Sequence, residues 1–190
     1  MGQIVLGAAA FALAFAFDWA SRCHSAFVKP VLGLATAACF LAALLWTLAT
    51  PGSFAWPQWV AIVGWPLLVA GAVLLSYSLF IEIPFVATYA RRGSSEVLVT
   101  TGTYALVRHP GVLWFGLLMA GLTLASRGRL MLIAGTAWLI LDAIYVWLQE
   151  LFLFRKMFPG YEEYQRTTPM LVPTPQSLVR CLRSLRAQSG

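Results

Sequence analysis

Charge is what this chain has least of. Lys, Arg, Asp and Glu make up 11% of its 190 residues while apolar types make up 60%, against roughly 25% charged in an ordinary soluble domain. That scarcity excludes a soluble globular protein, whose surface needs a polar coat. Cysteine is also sparse. Cys23, Cys39 and Cys181 are widely separated, odd in number and without C-x-x-C spacing, which argues against a disulfide framework or a thiolate metal site. His24 and His109 are the only histidines, and both fall outside the apolar runs, so a bis-histidine haem within a bilayer is not expected. Internal repeats and low-complexity linkers are missing too.

What is present is apolar sequence in long runs. Near-continuous stretches extend from Ile4 to Phe17, Val31 to Thr50, Trp59 to Ile81, Gly111 to Ser126 and Leu130 to Phe154, several approaching the roughly 20 residues that a spanning helix needs. The expectation is an all-α polytopic membrane protein with five transmembrane helices. The first is the weakest, being short and followed by Asp18 and Arg22. It lacks a basic leader, so a retained helix is expected rather than a cleaved signal peptide.

The formal charge of +6 does not point to nucleic acid, because the basic residues sort by membrane side. With the N-terminus outside, Arg22, Lys29, Arg91, Arg92, Arg108, Arg155, Lys156, Arg166, Arg180, Arg183 and Arg186 fall on one side, against only Arg127 and Arg129 on the other. By the positive-inside rule, the C-terminus is cytosolic.

Residues 1–190 read as a single integral membrane domain in three parts. Residues 1–87 hold the first three helices, with Glu82 near the cytosolic end of the third and Pro84 ending or kinking it. Residues 88–175 hold a cytosolic connector, in which "EVLV" has the pattern of a brief extended piece, then a helical hairpin and an aromatic, proline-punctuated segment. Pro110 suits the first turn of the fourth helix, and Gly128 suits a tight reversal. Arg108 lies 20 residues before Gly128 and Glu150 lies 22 after it; at about 1.5 Å per residue the two differ in depth by only ~3 Å, so Arg108, His109 and Glu150 are expected at one rim. In residues 176–190, Leu178, Leu182 and Leu185 face one way and Arg180, Arg183 and Arg186 another, a basic amphipathic helix suited to an anionic leaflet.

Each polar candidate has two readings. Arg108 is either a planar fork for a carboxylate or phosphate, or an arginine snorkelling to headgroups; His109 is a base or hydrogen-bond donor, or a helix cap. Glu150, beside Gln149, is costly without a partner, and Arg108 supplies one in either a functional or a structural ion pair. Asp142 shares a helical stripe with Tyr145 and Gln149 and is a functional acid or a bond to a neighbouring helix; Glu82 has the same two readings. Tyr161 and Tyr164 read first as an interfacial aromatic belt and second as cofactor contacts.

Taken in order, "LVTTGTYALVRHPG", a hairpin, then "QELFLFRKMFPGYEEYQRTTPMLVP" resembles the signature of the isoprenylcysteine carboxyl methyltransferase family and its phospholipid methyltransferase relatives. The matching positions are Gly102, Tyr104, Arg108, His109, Pro110, Glu150, Tyr161, Tyr164, Pro169 and Pro173, over roughly residues 98 to 175. The resemblance implies a membrane enzyme that binds S-adenosylmethionine at the cytosolic face through Gly102, Tyr104, Arg108, His109, Pro110, Glu150, Tyr161 and Tyr164. It also implies a lipophilic acceptor arriving from the bilayer, with Arg108, His109 and Glu150 as the catalytic and positioning core. Arg108 would take the cofactor's carboxylate, Glu150 its ammonium or ribose hydroxyls, and aromatic side chains its adenine. The acceptor's class stays open between a carboxylate, a thiol and a lipid amine. Val112 and Trp114 depart from the family's Tyr and Gly, and Gln149 replaces the first acid of its pair; with Asp142 they form the expected acceptor pocket. Two alternatives remain: a non-catalytic membrane subunit that keeps this fold and works with a membrane protein partner, and an NADPH-dependent reductase of the sterol-reductase type.

Overall fold

In the computed structural model the described residues are 1–22, 28–83 and 98–188, and they are predominantly helical, with no strand among them. Seven helices follow in order: α1 (Gly2–Arg22), α2 (Val28–Ala49), α3 (Gln58–Ser76), α4 (Pro110–Ser126), α5 (Arg129–Gln149), α6 (Tyr161–Thr167) and α7 (Pro175–Gln188). α3 continues into a π-helical stretch, Tyr77–Glu82, and α5 into another, Glu150–Phe154, before a last turn, Arg155–Met157. A short 3₁₀ turn, Gly102–Ala105, precedes α4.

Among the described residues, four helices are long and apolar enough to cross a membrane: Gly2–Ala20, Val28–Ala49, Gln58–Glu82 and Arg129–Met157. α4, at 17 residues, is a shorter apolar helix. The first helix outruns its apolar core, continuing through Asp18 to Arg22, and Asp18 is bonded to α5. Large apolar side chains point outward from the bundle, among them Leu34, Trp59, Ile62, Val73 and Ile133. A girdle of that kind is stable in lipid and not in water.

Small residues set the helix spacing. Along α3 and α4, Gly64 lies against the backbone of Ala125, Gly71 against Leu118, and Gly121 against Leu68, an antiparallel register in which each backbone occupies the space a side chain would need. Between α1 and α5, Gly7 lies under the indole of Trp138, which is fully buried and donates to the Ile4 carbonyl at 3.4 Å. Eleven residues further along both helices, Asp18 meets Gln149. Equal offsets in the same direction make α1 and α5 parallel. Phe11, Phe40, Phe115, Met119, Met131 and Trp138 fill the space between these pairs.

The reversal before α5 is built differently from the sequence expectation. Gly128 is extended (φ −76°), and the left-handed residue is Arg127 (φ 52°). The loop after α2 holds it there. Phe54 N–H donates to the Arg127 carbonyl at 2.7 Å, Arg129 N–H to the Gly52 carbonyl at 3.1 Å, and the Arg127 guanidinium to the Trp56 carbonyl at 3.0 Å.

Ile83, at the end of the third helix, is extended, as the residue before a proline tends to be. Pro84 and the "EV" of "EVLV" lie outside the described residues, as do Arg91, Arg92 and His24. α7 folds back onto the protein through Cys181 and Leu185, which pack with Ala105, Leu106 and Val107. That takes Leu185 off the expected outward apolar face, leaving Leu178, Val179 and Leu182 exposed.

Candidate functional site: a polar hub at the end of an apolar cavity

His109 caps α4 with non-helical geometry and Pro110 opens the helix. The backbone ahead of it is held by the returning chain: Arg108 N–H donates to the Pro169 carbonyl at 2.9 Å and His109 N–H to the Met170 carbonyl at 3.2 Å. On the opposite side Glu150 begins the π-helical stretch of α5. Such a stretch inserts an extra residue into the turn and re-aims the side chains that follow.

Arg108 and Glu150 meet in a two-pronged pair, Nε to Oε1 at 2.8 Å and Nη2 to Oε2 at 2.9 Å, with only 10% and 8% of their side-chain surfaces exposed. The rest of the guanidinium is also engaged: Nη1 donates to the carbonyls of Thr168 at 2.6 Å and Gln165 at 3.2 Å. Glu150 Oε1 further accepts from Tyr161 O–H and His109 Nε2, both at 2.9 Å, and Oε2 from Gln165 Nε2 at 2.8 Å. An ionised carboxylate is acceptor-only, which assigns the Nε2 proton of His109. Two oxygens therefore receive five hydrogen bonds, one more than a carboxylate's four lone-pair sites, so every acceptor site is taken.

Burial alone would lower the Arg108 guanidinium, but the hydrogen bonds and charge of Glu150 outweigh it and hold the group above its ordinary value. Burial pushes the Tyr161 phenol well up, and the neighbouring carboxylate pushes it further; burial likewise raises Tyr164. Both tyrosines are buried. Tyr164 O–H donates to the Tyr104 carbonyl at 2.6 Å, tying α6 to the 3₁₀ turn. The aromatic-belt reading of this pair is thus replaced by an interior one. His109 stacks on Phe154 at 5.7 Å between centroids, and Phe154 meets Phe158 and Tyr161 edge-on.

Gly102 is placed by its backbone. Its φ is +62°, and a side chain there would collide with the Glu82 carboxylate. Its N–H donates to Ser184 Oγ on α7 at 2.9 Å. Glu82 in turn accepts from Thr103 N–H at 2.7 Å and from the Thr103 hydroxyl. Ser78 bridges Thr103 Oγ1 and the Trp114 indole, each at 2.9 Å. Glu82 and Trp114 thus belong to a clamp joining the end of α3, the 3₁₀ turn and α4.

Beside the hub lies a cavity of about 560 Å³, within the ~300–1,000 Å³ usual for small-molecule sites. Arg108, His109, Tyr104, Phe154, Phe158, Tyr161 and Tyr164 line it, and Val112, Asp142 and Gln149 do so as well. Trp114 is not part of that lining. The remaining wall is largely apolar, from Phe11, Phe40, Leu75, Leu79, Phe115 and their neighbours.

Sequence reasoning passed over Asp18, Lys29, Thr36 and Gln165. Asp18 lines the cavity and accepts from Tyr145 O–H at 2.5 Å and Gln149 Nε2 at 2.7 Å. Position 149 is a glutamine, and α1 brings an acid to it. Gln165 lies one helical turn from Tyr161, a spacing that faces the same neighbour; that was its only signal.

No protein-family model, no curated protein and no solved structure significantly matches this chain.

Proposed function

We propose that the protein is an integral membrane methyltransferase that uses S-adenosylmethionine and acts on a lipophilic acceptor. The observation that carries this reading is the joining of two unlike surfaces: a charged, hydrogen-bonded hub of Arg108, His109, Glu150 and Tyr161 opens onto a 560 Å³ cavity lined mostly by apolar side chains. The ordered likeness of residues 98 to 175 to the methyltransferase signature supports it.

The volume and the aromatic wall fit the cofactor, which when bound supplies an activated methyl group on a sulfonium. Phe154, Phe158, Tyr161 and Tyr164 present ring faces and edges suited to a cation and a stacked base. Arg108 and His109 mark the polar end, and the apolar wall excludes water and holds an acceptor in line. The oxygens of Glu150 are filled from within, so its role in this reading is to fix Arg108, His109 and Tyr161; a direct contact with the cofactor would displace one of its present donors.

Five crossings, including α4, with the hub end in the cytosol, complete the proposal. α4 spans about 25 Å, short for a ~30 Å hydrocarbon core, and the saturated hub lets its polar end sit at the membrane rim. The thirteen basic residues, eleven of them on one side, support that orientation. Cysteine-accessibility labelling on the two faces tests it.

Calorimetric titration of the purified protein with S-adenosylmethionine tests the function. Binding that Arg108→Ala abolishes and Tyr161→Phe weakens is expected; a well-folded sample that binds none removes the proposal. A stronger thermal shift with NADPH would favour the reductase alternative. The saturation of Glu150 favours one second reading, a non-catalytic membrane subunit that keeps the hub as structure. It requires a partner that stays bound through purification.

A further inference from the structure

The cavity holds a second polar level, deeper than the hub. Lys29, Asp18 and Gln149 mark an upper level, with Gln149 bonded to Asp18 and the Lys29 charge acting on Asp18. Thr36 lies seven residues beyond Lys29 on α2, and Asp142 lies seven before Gln149 on α5. Each is therefore about 10 Å further along its helix, and both line the cavity.

These two groups lack what every other polar group in the lining has. Thr36 Oγ1 is buried without a hydrogen-bond partner. No hydrogen bond or neighbouring charge reaches Asp142 among the described residues. Arg108 is paired with Glu150, and Asp18 accepts from Tyr145 and Gln149, so the acid left over in the lining is Asp142. An unpartnered acid inside a membrane is costly and stays only where it faces a cavity or a ligand.

We propose that Asp142 and Thr36 form a binding subsite for the protonated amine of a lipophilic molecule, whose chain occupies the apolar wall of Phe11, Phe40 and Phe115. The ammonium supplies the donors that the carboxylate and the threonine oxygen lack, and a fatty carboxylate is rejected by like charge. This assignment stands on the cavity alone and does not require methyl transfer.

The test uses the full chain in phosphatidylcholine nanodiscs, without S-adenosylmethionine, and follows thermal unfolding with dodecylamine, dodecanol or dodecanoate. Dodecylamine should stabilise the protein at roughly tenfold lower concentration than either analogue, a difference of one decade in affinity. Asp142→Asn should erase that preference and, having lost an unpaired acid, unfold at a higher temperature than wild type when no amine is present. Thr36→Val should weaken the preference while leaving the fold intact. An amine response equal to that of dodecanol, a preference surviving in Asp142→Asn, or a ligand-free Asp142→Asn that melts lower than wild type would each overturn the proposal. Replacing phosphatidylcholine with phosphatidylethanolamine separates the sources: protection that blocks dodecylamine identifies a lipid headgroup, and an unchanged dodecylamine response identifies a free amine.

Discussion

Gln149 donates to Asp18 at 2.7 Å across 131 residues of chain, joining the first helix to the residue beside Glu150. Tyr145, one turn earlier on α5, donates to the same carboxylate oxygen. α1 is therefore part of the site's frame, supplying an acid opposite the glutamine beside Glu150.

That pairing predicts a reciprocal exchange. Gln149→Glu sets two carboxylates against each other and should cost about 1–3 kcal/mol, as for a buried polar group that loses its partner. Adding Asp18→Asn restores a donor opposite an acceptor and should recover most of the loss. Thermal unfolding of both single variants and the double decides it; additive losses would break the argument.

The hub predicts a strong coupling. Glu150→Gln leaves the Arg108 charge buried without its counterion, at an expected cost of about 3–5 kcal/mol. Arg108→Gln combined with Glu150→Gln should be less harmful than the two single losses together. A double-mutant cycle in detergent measures the coupling, and a value near zero would mean that the pair is solvated.

Gly102→Ala tests the 3₁₀ turn. The left-handed backbone alone should cost about 1–2 kcal/mol, and the collision with Glu82 adds to it. Glu82→Ala removes the collision but not the backbone strain, so the double variant should recover only part of the stability lost by Gly102→Ala. Recovery to the level of Glu82→Ala alone would contradict the strain.

Tyr161 and Tyr164 predict the alkaline limit. Burial, aided at Tyr161 by Glu150, raises both phenols above the ordinary value of 10.0. The folded state thus holds these protons more tightly than the unfolded chain. Their contribution is complete below pH 10.0 and is lost as the pH rises from there toward the folded values. Phenolate absorbance should appear together with unfolding, and Tyr161→Phe should shift that transition to higher pH. Titration of all six tyrosines in a fully folded protein would refute this.

The sequence by itself determined the helical membrane class and the meeting of Arg108 with Glu150. Both depend on local quantities: apolar runs fix which segments are helices in lipid, and a rise of about 1.5 Å per residue fixes depth along a hairpin. Pro110 at the start of α4 was legible for the same reason. Tertiary structure decided what those depths cannot encode, namely which faces meet. Asp18 reads as a blemish at the end of a weak span until α1 runs parallel to α5 and sets it against Gln149 and Tyr145. Trp114 reads as a pocket residue until Ser78 turns it into a clamp, and Gly128 reads as the reversal until the loop after α2 grips Arg127 instead. Asp142 carries the same letter whether it bonds a neighbouring helix or faces a cavity. Only packing settles that, because a helix's position along the membrane normal follows from its own residues while its rotation follows from its neighbours.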